Sequence, residues 1–185
     1  MELKTLNEAD VKGKTILYRS PYDIGTTKDE NGELVIKDDS RIKATLPTLN
    51  FLIKNGCKVV ILTWVKRPGG EVVEELRTTP HAEALSQLLQ REVKKADDCV
   101  GEEVQRQISK LQAGELLMLE NTRFHPEEDD DNDEFAQKLV QGCEMIVFDG
   151  LPQAHRAHSS TTGILRHLPA VVGFYFEQEV SSLEK

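Results

Sequence analysis

The run Cys57-Lys58-Val59-Val60-Ile61-Leu62-Thr63 constrains the fold more than any other stretch of the chain. Its apolar residues do not alternate with polar ones. A strand built from it is apolar on both faces and must be covered on both, as in a parallel sheet. Thr15-Ile16-Leu17-Tyr18-Arg19, Leu116–Leu119 and Glu144-Met145-Ile146-Val147-Phe148 have the same character, and Glu92–Lys95 is a shorter candidate strand.

Helical patterns lie between these runs. Ile42, Leu46, Leu49 and Ile53 recur at spacings of four, three and four, which is one face of a helix. That helix starts at Asp38-Asp39-Ser40, is strained at Pro47, and stops at Asn55-Gly56, where glycine suits the left-handed position. Thr79-Pro80 opens a second helix with Ala84, Leu85, Leu88 and Leu89 on its apolar face. Further helices are expected over Glu102–Leu111, over Asp133–Gln141 with Gly142 closing it, and over Thr161–His167 capped by Ser159 or Ser160. The polar stretch Thr26–Lys37 reads as a loop with a tight turn at Asn31-Gly32. Strands alternating with helices give right-handed crossovers. The predicted fold is a three-layer α/β sandwich with a mostly parallel sheet.

In such sheets ligands bind at the carboxyl ends of the strands. Those ends carry Arg19–Asp23, Trp64–Pro68, Asn121–His125 and the segment from Asp149 onward. Arg67, Arg123 and Arg156 each follow a strand, and Arg41 begins the first helix. Guanidinium forks bind carboxylate and phosphate oxygens bidentately, so four of them at one sheet edge could hold a small phosphorylated acid. The alternative is surface arginines paired with some of the 32 acidic side chains. The net charge of −9 argues against a nucleic-acid partner but leaves room for a small anion. No apolar run reaches the roughly 20 residues of a membrane helix. The N-terminus has no apolar leader, and three widely spaced cysteines fit reduced thiols, so a cytoplasmic location is expected.

Other residue patterns carry weaker chemical signals. Glu127–Glu134 is a run of seven acids in eight residues. It lacks the spaced ligands and glycine of a calcium loop and reads as a solvated lead-in to a helix. His155 and His158 have no third metal ligand at a recognisable spacing, and no metal is expected. Ser20 lacks the context of a nucleophile. Lys66, near Trp64, becomes nucleophilic only if water is excluded from its amine; an exposed loop lysine is the default. No glycine-rich loop that cradles a nucleotide is present.

Several stretches together resemble phosphoglycerate kinase: Asp38-Asp39-Ser40-Arg41-Ile42-Lys43-Ala44, Glu120-Asn121-Thr122-Arg123-Phe124-His125-Pro126, and Ala154-His155-Arg156-Ala157-His158-Ser159-Ser160-Thr161. Arg67-Pro68, Asp97–Val104 and Ala170–Phe174 agree in order and spacing. The resemblance covers the whole chain but only the N-terminal half of the family's pattern. It implies a phosphoglycerate-binding domain over 1–173, with 174–185 beginning the family's interdomain segment. It implies that Arg41, Arg67, Arg123 and Arg156 bind substrate, with Arg41 also stabilising the transferring phosphoryl group. Mg²⁺ and ADP or ATP would be held by a C-terminal domain, and no cofactor is expected on this chain, which alone should not turn over as a kinase.

The sequence departs from that pattern in three strand-end loops. Where the family reads Arg-Val-Asp-Phe-Asn-Val-Pro, this chain has Arg19-Ser20-Pro21-Tyr22-Asp23-Ile24-Gly25. Ser-His-Leu-Gly-Arg-Pro becomes Thr63-Trp64-Val65-Lys66-Arg67-Pro68. Asn-Asp-Ala-Phe-Gly-Thr-Ala-His-Arg becomes Phe148-Asp149-Gly150-Leu151-Pro152-Gln153-Ala154-His155-Arg156. Pro21, Tyr22, Asp23, Trp64, Lys66, Phe148, Leu151 and Pro152 are thus expected to make the cleft more apolar. Either a divergent member has taken a new ligand, or a borrowed scaffold has been rebuilt for a new ligand, a new catalysis or a protein partner.

Overall fold

The computed structural model describes residues 4–183. Six strands form one parallel sheet: β1 (Thr15–Arg19), β4 (Lys58–Leu62), β5 (Val93–Lys95), β6 (Leu116–Met118), β7 (Met145–Phe148) and β8 (Ala170–Val172). Their spatial order is β5-β6-β4-β1-β7-β8. β1 is central, with Tyr18 opposite Ile61 on one side and Val147 on the other. Each predicted strand is present to within a residue or two. A separate antiparallel pair, β2 (Thr26–Lys28) with β3 (Leu34–Ile36), occupies the stretch expected to be a loop. The turn was legible at Asn31-Gly32. The two strands were not, because each is only three residues long and neither holds a fully buried residue.

Alternation along the buried strands sorts their side chains into two cores. Ile16, Tyr18, Val59, Ile61 and Met118 face one layer with Ile42, Leu49 and Leu85. These last belong to α1 (Ser40–Lys54) and α2 (Thr79–Leu89). Leu17, Val60, Leu62, Leu117 and Ile146 face the other layer with Val104, Ile108, Phe135 and Leu139, from α3 (Glu102–Ser109) and α4 (Asp133–Val140). This is the three-layer sandwich expected from the sequence. α1 runs unbroken through Pro47.

Two departures have clear causes. The expected helix Thr161–His167 is instead a π turn over Ser159–Gly163 followed by a 3-10 turn over Ile164–Arg166. The Thr162 hydroxyl donates to the carbonyl of His158, which also accepts from the amide of Gly163, and the Thr161 hydroxyl donates to the carbonyl of Arg156 at 2.6 Å. Such side-chain bonds compete with α-helical pairing. The stretch 174–183 forms α5 (Phe174–Leu183), whose Phe174 ring packs edge-on against Phe51 of α1 at 5.3 Å. Gly173 precedes it because Asp149 fills the space: a Cβ there would lie 2.3 Å from the carboxylate. That buried carboxylate accepts from the Tyr18 hydroxyl at 2.9 Å and from the amide of Phe176 at 3.0 Å.

His81 is fully buried on α2, with its Nε2 at 3.0 Å from the carbonyl of Ile24. Burial pulls its pKa down to about 4, against about 6.5 in an unfolded chain. The neutral ring is therefore the folded form. Its stabilisation is present above pH ~6.5 and is lost as pH falls through the folded value, about 3 kcal/mol in all. His81→Gln keeps an N–H donor and removes the titration. Its urea midpoint should vary less between pH 6.5 and 4 than that of the wild type; identical profiles would assign the acid sensitivity elsewhere.

Candidate functional site

Because all six strands are parallel, the turns after β1, β4, β6 and β7 meet at one edge of the sheet. They enclose a cleft of about 450 Å³ lined by Asp23, Trp64, Lys66, Arg67, Arg123, Pro152, Gln153, His155 and Arg156. Asp23 is the one acid among these residues. A chain of net charge −9 thus concentrates four permanent cations at the edge where ligands of such sheets bind.

Glu120 and Asn121, at the end of β6, build the frame. The Asn121 side chain accepts from the amides of Val65 and Arg123 at 3.0 and 3.1 Å and donates to the carbonyls of Val65 and Leu76. It fastens the turn after β4 to the turn after β6. Glu120 accepts from the amide of Thr78 at 2.9 Å and pairs with Lys95 and Arg77 at 2.9 and 3.1 Å. These partners outweigh its burial and hold its carboxyl below the usual range. Two members of the motif Glu120–Pro126 are therefore structural.

Trp64 is the floor. Its indole carries the guanidinium of Arg123 at 4.2 Å and that of Arg19 at 4.6 Å, with His158 edge-on at 5.0 Å. Cation–π contact strengthens when water is excluded, and Trp64 is only 1% exposed. Arg123 also donates to the carbonyl of Lys66 and pairs with Asp129 at 3.1 Å. Arg19 is fully buried and donates to the carbonyls of Ser160 and Ser20 and to Gln153 Oε1. Burial lowers its pKa to about 10. Glu128 supplies nearby negative charge; burial raises its own pKa to about 6, against the hydrogen bonds from Ser160 and the attraction of Arg19 and Arg123.

Of the four arginines singled out in the sequence, Arg67, Arg123 and Arg156 come together in the cleft. Arg41 lies behind the segment that carries Asp23, its guanidinium 3.4 Å from the carbonyls of Pro21 and Asp23. The expected apolar rim does not form. Tyr22 is fully buried in the core, its hydroxyl 2.6 Å from that of Thr45, and Pro21 is buried beside it. Phe148 packs against Phe176 at 6.1 Å in a separate apolar groove. Leu151 is half-buried and does not line the cleft. Short strand-end turns fold large apolar residues back onto the sheet, so only Trp64 and Pro152 of the apolar set remain at the cleft.

Ser20 is buried, its hydroxyl donating to Leu62. The acidic run is the mostly exposed lead-in to α4 that its composition suggests, with surface pairs from Asp129 to Arg123 and from Asp131 and Asp133 to Arg166; Glu128 is the exception, buried and bonded to Ser160. His155 is exposed at the cleft, while His158 is buried against Trp64. Among the described residues, Asp98, Cys99 and His125 bring three metal-ligating atoms within 4.8 Å of one another. There Asp98 is already an ion-pair partner of His125 at 2.7 Å, and burial keeps the Cys99 thiol protonated. Arg19, Gln153 and Glu128 are the site residues that sequence reasoning missed. Each sits in or beside an altered or motif segment, but only the fold brings them together.

The architecture and the cleft define a three-layer parallel α/β domain with a basic pocket at the carboxyl edge of its sheet. The family profile of phosphoglycerate kinase matches residues 6–185, and the chain belongs to that family, corresponding to its N-terminal domain. It is 45% identical over 184 residues to phosphoglycerate kinase of Gloeobacter violaceus, covering 99% of this chain and 44% of that protein. It is 42% identical over 180 residues to the chloroplastic enzyme of Volvox carteri, covering 97% of this chain and 38% of that one. The crystal structure of phosphoglycerate kinase from Pyrococcus horikoshii superposes with a TM-score of 0.85 at 32% identity, over 98% of this chain and 45% of that one. The chain thus spans less than half the length of these relatives.

Lys66 stands in solvent with φ of +55°, in the left-handed region. Its amide donates to Asp23 Oδ1 at 2.8 Å and its carbonyl accepts from Arg123, so the turn cannot relax without losing both. A side chain there costs about 1 kcal/mol that glycine avoids. Lys66→Gly should raise unfolding stability by up to about 1 kcal/mol in urea titration, whereas Lys66→Ala should not. Equal effects of the two would remove backbone strain as the cause.

Proposed function

We propose that this domain binds 3-phosphoglycerate, the acceptor side of the glycolytic phosphoryl transfer between 1,3-bisphosphoglycerate and ADP. The observation that carries the reading is the convergence of Arg67, Arg123 and Arg156 with Lys66 and His155 on one cleft. Guanidiniums match the paired oxygens of carboxylate and phosphate. In this reading Arg123, held by Trp64 and Asp129, is a preset fork, and Arg67 and Arg156 close on the anion from the rim. Arg41, one loop away, meets the transferring phosphoryl group when a nucleotide-bearing domain approaches. The nucleotide and its Mg²⁺ belong to the family's C-terminal domain, so this chain alone binds without turning over. Three free thiols fit a reducing compartment such as the cytosol.

Affinity should be low. Pro21 and Trp64 cannot make the hydrogen bonds of an aspartate and a histidine, and each bond lost to a charged ligand costs roughly 1.5–3 kcal/mol. Together these losses weaken binding about a hundredfold or more. Calorimetry with 3-phosphoglycerate at low ionic strength should show weak binding that fades as salt is added. Arg156→Ala and Arg67→Ala should each weaken it about tenfold or more. Binding that ignores both substitutions, or binding as tight as that of an intact family site, would overturn the reading.

A further inference from the structure

We propose that Gln153 is a ligand-binding residue of this cleft, donating its side-chain N–H to an oxygen of the bound anion, with Arg19 as the residue that aims it. The proposal rests on the anion-binding reading above and adds to it a neutral donor at the buried end of the site.

Gln153 ends the short turn Leu151–Gln153 after β7 and is 4% exposed, yet it lines the cleft with Trp64, Arg123 and Arg156. The orientation of its amide is set by its partner. Arg19 Nη1 lies 3.1 Å from Oε1. A guanidinium has only donors to offer, so the oxygen must face Arg19 and the NH₂ group must face away. Arg19 cannot move to release it, because its Nε is fixed at 2.8 Å on the carbonyl of Ser160 and its guanidinium packs on Trp64. The result is that Gln153 Nε2 is buried with no partner among the described residues, and Arg19 Nη2 is in the same state.

Buried donors are rarely left unpaired. Among the described residues no carboxylate reaches either donor, and the nearby acids bond elsewhere. Asp23 is engaged by the amide of Lys66, Glu128 by the amide and hydroxyl of Ser160, and Asp149 by Tyr18 and α5. What is missing is an acceptor, and the cleft is where one can enter. The class of ligand follows: a carboxylate or phosphoryl group, which presents oxygens without hydrogens. An amine or cation at that end would face donors only.

The neutral amide and the arginines divide the work. Arg67 and Arg156 attract through charge, so their contribution falls with salt. Gln153 orients through a short-range bond and carries no charge, so its contribution should not. That difference separates a ligand contact from a structural role.

The experiment measures inorganic phosphate and 3-phosphoglycerate binding by calorimetry and by the fluorescence of Trp64, the only tryptophan, across a range of salt. Gln153→Leu should weaken 3-phosphoglycerate about tenfold or more and leave the dependence of log affinity on log salt unchanged. Arg156→Ala should weaken binding and flatten that dependence. Gln153→Glu satisfies Arg19 and should unfold at equal or higher denaturant, yet bind at least a hundredfold less well because the donor has become an anion. Gln153→Leu binding like the wild type, or losing affinity with a flattened salt dependence, would overturn the role of Gln153 while leaving the anion site standing. A wild-type protein that binds neither ligand would overturn both.

Discussion

Every strand of the main sheet points the same way, and that constraint organises the rest of the molecule. A strand apolar on both faces must be covered on both, which forces helices above and below and sends each connection across a face. All carboxyl ends then lie on one edge. β1 sits between β4 and β7, and the chain leaves it toward one side before returning to the other. The turns after these strands diverge at that point and open a cleft that no single segment encodes.

Gathering guanidiniums at such a place is electrostatically unfavourable, since Arg123 itself disfavours charge on Arg19. The fold answers with three compensations. Trp64 gives both guanidiniums an aromatic surface, Glu128 places a carboxylate nearby, and Asp129 pairs with Arg123. The bulk of Trp64 therefore stabilises the cationic site instead of turning it apolar.

The same network explains the motif residues. Asn121 and Glu120 make no use of the cleft. They bind the turns after β4 and β6, and the start of α2, into one unit. A rigid frame of this kind lets Arg123 hold its place with little conformational cost on binding. Lys66, at its left-handed turn, is bonded on both sides of its peptide, so the frame fixes even the exposed lysine's backbone.

The sequence by itself determined the layers. Unbroken apolar runs, helical spacing from Ile42 to Ile53 and glycines after helices are local signals, and local signals survive without knowledge of the partner. It also marked Arg67, Arg123 and Arg156, because a charged residue just past a buried strand must lie at the sheet's edge. It did not reveal the hairpin Thr26–Ile36 or the π turn at Ser159, which depend on weak or competing bonds. Tertiary structure alone decided that Tyr22 and Phe148 turn inward, that Arg41 stands behind a loop, and that Arg19, Gln153 and Glu128 meet around Trp64. Residues more than a hundred positions apart become neighbours only when the strands register, and side-chain direction at a strand end is set by what the sheet leaves room for.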